Sequence, residues 1–174
     1  GTYITSGGFG TMGYGAGAAM GAALARPDRR VVLVSGDGSF RMNCNELATM
    51  EHYGIPVVIL VMNNGVLGMV RQWQTVFYQK RYSQTSLDRG PDFAKLAEAY
   101  GISGYMVCSL EQFEKAFTEA LASGKPAVLD CRIGCDETVT PMVAPGKPIT
   151  EFILHEPDEE PNGKGDQTVC EATK

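Results

Sequence analysis

The residues that could bind a metal ion lie in two polar segments, each directly after an apolar run. One is Gly-Asp-Gly at residues 36–38, and the other is Asn-Asn-Gly at residues 63–65. Asp37 offers a carboxylate and Asn64 an amide oxygen, and Mg²⁺ is commonly held by one or two such oxygens together with phosphate oxygens and water. The glycines beside Asp37 would let a phosphate group approach the backbone. The two segments thus predict a site for Mg²⁺ and a phosphate-bearing ligand.

The spacing of the two segments carries more information than either segment alone. A lone Asp-Gly or Asn-Gly pair usually forms a turn. Here 24 residues separate Gly38 from Asn63, which leaves room for one helix between two parallel strands. Ligands bind beyond the carboxyl ends of parallel strands, and a right-handed crossover brings neighbouring ends together. We therefore expect Asp37 and Asn64 to lie close in space.

The hydrophobic pattern around these segments predicts strands that alternate with helices. Strands are expected at residues 31–34, 57–61, 105–108 and 127–131, with a short additional strand at residues 3–5. The run at residues 31–34 is continuously apolar, which is typical of a strand buried on both faces. Helices are expected at residues 14–26, 40–53, 92–100 and 110–121, with a partly helical segment at residues 69–80. The alternation predicts an α/β fold with three layers (α/β/α) and a mainly parallel sheet.

Composition and charge exclude several classes of partner. The chain has 174 residues, which fits one domain. Residues 1–150 carry 13 acidic and 13 basic side chains, and residues 151–174 carry 7 acidic and 2 basic ones, so the net charge of −5 lies at the end. A neutral body and the lack of a long apolar run predict no nucleic-acid partner and no membrane span. We expect one domain at residues 1–154 and an acidic, mobile tail at residues 155–174.

Other ligand-binding patterns are incomplete. Cys131 and Cys135 form a C-x3-C pair without a second pair or a histidine at ligand spacing, so zinc is not predicted. The odd number of cysteines, 5, suits a reducing compartment, and we expect a cytoplasmic protein. The glycines at residues 13–17 resemble a dinucleotide fingerprint but follow no clear strand, so NAD is not predicted.

The Gly-Asp-Gly and Asn-Asn segments together resemble the thiamine diphosphate signature of the thiamine-dependent decarboxylases and carboligases. Within that family, residues 3–154 are similar to the C-terminal cofactor domain of acetolactate synthase (acetohydroxyacid synthase) large subunits. The similarity rests on ITSGGFGTMGYG at 4–15, GMVRQWQ at 68–74, FY at 77–78, RYS at 81–83, PDFAKLA at 91–97 and PMVAPG at 141–146. Three positions depart from the pattern: Gly17 stands where proline is common, and Val66-Leu67 replaces a more polar pair.

The resemblance implies a set of site residues. Asp37 and Asn64 would coordinate Mg²⁺ through their side chains, and Val66 would do so through its backbone carbonyl oxygen. Met12 would lie beneath the cofactor. Met69 and Trp73 would line the substrate pocket, where Trp73 would favour 2-ketobutyrate as the second substrate. The residues implied to bind the cofactor are Gly10, Thr11, Met12, Gly36, Gly38, Ser39, Asn64, Gly65, Val66, Leu67, Gly68 and Met69.

The resemblance also implies an activity. The enzyme would use thiamine diphosphate and Mg²⁺ to decarboxylate pyruvate and join the two-carbon unit to a second 2-keto acid, in branched-chain amino acid biosynthesis. The family's activating glutamate belongs to another domain on a neighbouring subunit, so no catalytic residue is expected in this chain, which would be inactive alone. FAD would bind only the full-length enzyme. A homo-oligomer, dimeric or tetrameric, and a regulatory small subunit are the implied protein partners.

Two alternatives stay open. The chain could belong to another thiamine diphosphate-dependent decarboxylase or carboligase. It could also be a non-catalytic α/β module that binds a nucleotide or a partner protein. The first residues, which lack an initiator methionine, are expected to mark a cut within a longer protein or a processed end.

Overall fold

Four parallel strands form the central sheet in the computed structural model, which describes residues 1–87 and 89–154. The strands are β1 (Val31–Gly36), β2 (Val57–Asn63), β3 (Ser103–Val107) and β4 (Ala127–Arg132), and they lie in the order β1-β2-β4-β3. Each neighbouring pair is parallel. The predicted tail at residues 155–174 lies outside the described residues.

Helices pack on both faces of this sheet. They are α1 (Tyr14–Ala25), α2 (Asp37–Arg41), α3 (Leu47–Tyr53), α4 (Gly68–Phe77), α5 (Phe93–Ala99) and α6 (Leu110–Ser123). Val57, Ile59 and Val61 of β2 face a core that also holds buried residues of α1, α3 and α5. Val58 and Leu60 face a second core, which α6 covers. The predicted α/β/α layering is therefore confirmed.

Strand β1 is exposed on one face, and the prediction of burial on both faces is wrong for the described part of the chain. Leu33 packs into the core beneath α1. Val32 and Val34, which point to the other face, are 39% and 65% exposed. Helix α6 packs on β3 and β4, and β1 lies at the far edge of the sheet. A continuous apolar run indicates a strand, but whether helices cover both of its faces depends on distant parts of the chain.

The helix predicted at residues 40–53 is broken into three pieces. Helix α2 begins at Asp37, a short 3-10 turn spans Cys44–Glu46, and α3 begins at Leu47. Asn43 leaves the helical conformation with a φ of −135°, and its Nδ2 donates to the carbonyl oxygen of Gly13 at 2.8 Å. Because this partner is 30 positions away in the sequence, local propensity could not predict the break.

Two short features also differ from expectation. Residues 3–5 form no strand and are exposed. A two-stranded antiparallel sheet, which the sequence did not predict, pairs β5 (Met142–Val143) with β6 (Phe152–Ile153).

Two further features of the described residues concern their helices and their cysteines. None of the helices has the length and apolar character needed to cross a membrane. Cys44, Cys131 and Cys135 are free.

Asp92 caps helix α5, and its replacement by alanine is expected to destabilise the chain by about 1 kcal/mol. Its carboxylate accepts the Lys95 backbone N–H at 3.0 Å and pairs with Lys95 Nζ at 3.2 Å. Lys95→Gln is the matched control, since it removes only the exposed ion pair and should cost less than about 0.5 kcal/mol. Urea unfolding measures both variants, and equal losses would show that the cap is not the stabilising contact.

Candidate functional site

The carboxyl ends of β1 and β2 lie side by side at one edge of the sheet. The register pairs Gly36 with Met62, so β1 and β2 end at nearly the same height in the sheet. Asp37 is the first residue of α2, and Asn64 opens the loop that leads to α4. The structure thus places Asp37 and Asn64, which are 27 positions apart in the sequence, at neighbouring strand ends.

Asp37 is a buried carboxylate, only 4% exposed. It forms no salt bridge with a basic residue in the part of the chain that the structure describes. Burial raises the pKa of this carboxyl, although the Gly38 backbone N–H and the charge of Arg41 act in the opposite direction. Because a buried charge needs a partner of opposite sign, this position suits a bound cation.

The loop after β2 begins with the other predicted metal side chain, Asn64. The Val66 backbone N–H donates to Asn64 Oδ1 at 3.1 Å, and Gly65 adopts the left-handed conformation, with a φ of 68°, that glycine tolerates best. An amide oxygen has two lone pairs, so Asn64 Oδ1 keeps one for a further partner.

A second segment, which the sequence analysis missed, holds this loop in place. The Leu67 N–H donates to the Thr85 carbonyl oxygen at 2.8 Å, and the Leu87 N–H donates to the Gly65 carbonyl oxygen at 2.7 Å. These bonds flank the isolated antiparallel bridge between Val66 and Ser86. Neither bond uses the Val66 carbonyl oxygen. Thr85 stands in a polar stretch without periodicity, so the sequence offered no signal for its role.

The side chains at this edge of the sheet offer few groups that could bind a metal ion. Within residues 1–87 and 89–154, no group of three or more His, Cys, Asp or Glu side chains could hold a metal ion. The metal ligands that the sequence analysis predicted are of another kind: the Asp37 carboxylate, the Asn64 amide oxygen and the Val66 carbonyl oxygen. A set of three hard oxygens, of which one is charged, matches Mg²⁺ bound together with phosphate oxygens and water.

The glycine-rich loop before α1 is tied to α2. The Gly13 N–H donates to Ser39 Oγ at 3.0 Å, and its carbonyl oxygen accepts from Asn43. Gly10 and Thr11 stand in the same loop, and both are exposed. The loop is thereby held against the start of the helix that carries Asp37.

Three apolar side chains converge on Gly38. A Cβ atom at this glycine would lie 3.0 Å from Leu67 Cδ2, 3.2 Å from Leu87 Cδ1 and 3.4 Å from Met12 Cε. Met12, from the glycine-rich loop, and Leu67, from the loop after β2, therefore meet at the turn after β1. The predicted cofactor residues Gly36, Gly38, Gly65 and Gly68 also belong to these two strand-end turns, and Gly68 begins α4.

Met69 and Trp73 lie on α4, where they line an open cavity of about 580 Å³. The Trp73 ring packs edge-on against Phe77, with the centroids 5.7 Å apart. None of the residues that line the cavity belongs to the turns that follow β1 and β2. The lining residues are Met69, Val70, Trp73, Gln74, Tyr78 and Arg81.

Comparison with known proteins gives a consistent family. Residues 1–131 match the model of the thiamine pyrophosphate enzyme, C-terminal TPP binding domain. The chain is 49% identical over 152 residues to the acetolactate synthase of Arthrospira platensis (87% of this chain, 26% of that protein). It is 47% identical over 161 residues to the acetolactate synthase large subunit of Haemophilus influenzae (92% of this chain, 28% of that protein).

A solved structure agrees with this result. The thiamine diphosphate-dependent 4-hydroxybenzoylformate decarboxylase of Rhodococcus jostii superposes with a TM-score of 0.68 and 38% identity, over 73% of this chain and 24% of that one. The chain spans about a quarter of the length of these curated relatives. It belongs to the family of the C-terminal thiamine pyrophosphate-binding domains of thiamine pyrophosphate enzymes, and the curated relatives named here are acetolactate synthases.

Proposed function

We propose that the chain is the cofactor-binding domain of an acetolactate synthase large subunit. That enzyme would decarboxylate pyruvate and join the two-carbon unit to a second 2-keto acid, as a step of branched-chain amino acid biosynthesis. The observation that carries the proposal is the identity of 49% to an acetolactate synthase over 152 residues, a stretch that contains both metal-binding turns.

The donor set supports Mg²⁺ as the metal. Asp37 would supply the single negative charge, and Asn64 and Val66 would supply neutral oxygens. The buried carboxylate of Asp37 forms no ion pair with a described basic residue, so a divalent cation would relieve an otherwise uncompensated charge. The metal would in turn neutralise a diphosphate bound beside it.

Backbone groups of the two turns would hold the diphosphate. Gly38 and Ser39 lie in the first turn of α2, and Gly68 and Met69 in the first turn of α4, where N–H groups lack partners within the helix and favour an anion. Gly36, Gly65 and Leu67 complete the two strand-end turns. Gly10, Thr11 and Met12 would approach from the glycine-rich loop, with Met12 beneath the cofactor.

Thiamine diphosphate supplies, when bound, the electron sink that decarboxylation of a 2-keto acid requires. The residues of this chain would hold it by its charged end and shape the pocket. The glutamate that activates the cofactor and the site for FAD would belong to other parts of the full-length enzyme. We also propose that the enzyme works as a homo-oligomer, with a regulatory small subunit as a further partner.

Product analysis tests the proposal and separates it from the nearest alternative. The full-length protein, supplied with pyruvate, thiamine diphosphate, Mg²⁺ and FAD, should release CO₂ and form acetolactate in equal amounts. Release of CO₂ with free aldehyde as the product would instead identify another thiamine diphosphate-dependent decarboxylase. Lack of turnover together with lack of thiamine diphosphate binding would favour the non-catalytic module.

Trp73 should set the preference for the second substrate. Trp73→Leu is expected to lower the yield of acetohydroxybutyrate relative to acetolactate by about tenfold, because one methylene group in a hydrophobic pocket is worth that much discrimination. Competition between pyruvate and 2-ketobutyrate measures the ratio. Tyr53→Leu is the control, because Tyr53 is an exposed aromatic residue outside the cavity. An unchanged ratio in Trp73→Leu would remove Trp73 from the substrate pocket.

A further inference from the structure

Asp130 is a charged residue in the middle of an apolar strand. It stands in β4 between Leu129 and Cys131 and is fully buried. Three groups donate to its carboxylate: Asn63 Nδ2 to Oδ1 at 2.8 Å, Arg132 Nη2 to Oδ2 at 3.0 Å, and the Phe93 backbone N–H to Oδ2 at 3.4 Å. Both carboxylate oxygens therefore hold fixed partners.

The bond to Asn63 reaches the metal-binding turn directly. Strand β2 pairs with β4 in parallel, with Asn63 opposite Arg132. The Asn63 carbonyl oxygen accepts from the Ile133 N–H at 3.1 Å, and its side chain is fixed by Asp130. The last residue of β2 is thus held at both its backbone and its side chain, immediately before Asn64.

The bond to Phe93 extends the same network toward Asp37. Phe93 begins α5, and its ring packs edge-on against Phe40, with the centroids 5.6 Å apart. Phe40 belongs to α2, the helix that begins with Asp37. Asp130 therefore contacts β2 directly and is linked to α2 through Phe93.

Stability alone is a poor explanation for a charge at this position. The neighbouring residues of β4 are apolar, and replacing buried ion pairs by packed hydrophobic residues is often neutral or stabilising. Arg132, the basic partner of Asp130, leaves its Nε atom buried without a hydrogen-bond partner among the described residues. Both oxygens of the Asp130 carboxylate therefore have hydrogen-bond donors, whereas the Arg132 side chain is only partly satisfied.

We propose that Asp130 is a positioning residue for the Mg²⁺ site: its carboxylate fixes Asn63 and thereby the orientation of Asn64 in the turn that follows. The proposal rests on the proposed function, because Asn64 must bind the metal for its orientation to matter. The sequence analysis treated Asp130 only as part of a strand, although an acidic residue inside the apolar run at 127–131 is a signal for a buried polar contact.

Mn²⁺ is a suitable probe, because electron paramagnetic resonance counts the free ion in the presence of thiamine diphosphate. Asp130→Asn and Asn63→Ala break the same hydrogen bond from its two sides. Each should raise the dissociation constant of Mn²⁺ in the full-length protein by about tenfold, at the lower end of what the loss of an outer-sphere partner costs. Leu129→Ala, in the same strand but on the face toward α6, is the matched control and should lower Tm without changing Mn²⁺ affinity.

The double variant Asn63→Asp/Asp130→Asn provides a rescue. The new amide can donate to the new carboxylate, and its oxygen can still accept from Phe93 and Arg132, so Mn²⁺ affinity should return to within about threefold of the original, against the roughly tenfold losses of the single variants. A role in stability alone would not produce this recovery of metal affinity.

The outcomes separate the two proposals. If the unmodified protein binds no Mn²⁺ with thiamine diphosphate, the proposed function fails and the role of Asp130 fails with it. If the unmodified protein binds Mn²⁺ and a folded Asp130→Asn or Asn63→Ala protein binds it equally well, only the role of Asp130 is overturned. Should Asp130→Asn not fold, Asn63→Ala decides, because it leaves the bonds of Asp130 to Phe93 and Arg132 in place.

Discussion

Replacement of Asp37 by alanine is expected to weaken binding of Mg²⁺ and thiamine diphosphate by about 100-fold or more, because even the outer-sphere partners of a metal contribute roughly 10- to 100-fold. In metal-free protein the variant should be at least as stable as the original, since the buried carboxylate has no salt-bridge partner among the described residues. Thermal unfolding of the full-length protein, with and without both ligands, measures the two effects together.

The control for this prediction is Asp28→Ala. Asp28 is an exposed carboxylate that pairs with Arg26. It precedes β1, at the opposite end of that strand from Asp37, and its loss should change neither ligand binding nor the ligand-induced rise in Tm. At ligand concentrations 100 times the dissociation constant the rise corresponds to about 2.7 kcal/mol. If Asp37→Ala retains that rise, Asp37 does not hold the metal.

Replacement of Gly104 by alanine should destabilise the chain by about 3 kcal/mol, the upper part of the usual range for overpacking. A Cβ atom there would press on the Ala94 carbonyl oxygen, and it would lie 2.7 Å from the Ala94 carbonyl carbon and 2.9 Å from its Cα. These are backbone atoms of α5, so the whole helix must shift away from β3. Urea unfolding of the two proteins gives the difference in free energy of unfolding.

Gly21→Ala is the matched control for Gly104→Ala. Gly21 lies inside α1, and nothing is within 4 Å of the position its Cβ would take. Alanine there should stabilise the chain by about 0.5 to 1 kcal/mol, because glycine is a poor residue for a helix interior. Losses below about 0.5 kcal/mol in Gly104→Ala, the size of an ordinary surface change, would mean that α5 does not pack on β3 in this way.

The fold was predictable where its signals are local. Apolar runs at residues 57–61 and 127–131 indicated β2 and β4. The helix expected at residues 110–121 is α6, which Ser109 caps: its Oγ accepts from the Gln112 N–H at 3.2 Å. Asp37 and Asn64 could be placed at one edge because the order strand–helix–strand restricts the topology. The structure has both residues at this edge.

What the sequence did not predict depends on long-range contacts. Val34 is exposed because α6 packs on β3 and β4 and leaves this face of β1 uncovered. The helix breaks at Asn43 because the Asn43 side chain bonds to the Gly13 carbonyl oxygen. The hairpin of β5 and β6 consists of two-residue strands, too short for a hydrophobic period to appear. Thr85 supports the turn after β2 through its backbone carbonyl, a contact that any residue type could make.

The most direct test of the account is calorimetric titration of the full-length protein with thiamine diphosphate, first with Mg²⁺ and then after its removal with a chelator. The account predicts saturable binding of one cofactor per chain with Mg²⁺ and, without it, affinity lower by about tenfold or more, since the metal neutralises the diphosphate. Equal affinity in both conditions, or no binding in either, would contradict the placement of a Mg²⁺-dependent cofactor site at the ends of β1 and β2.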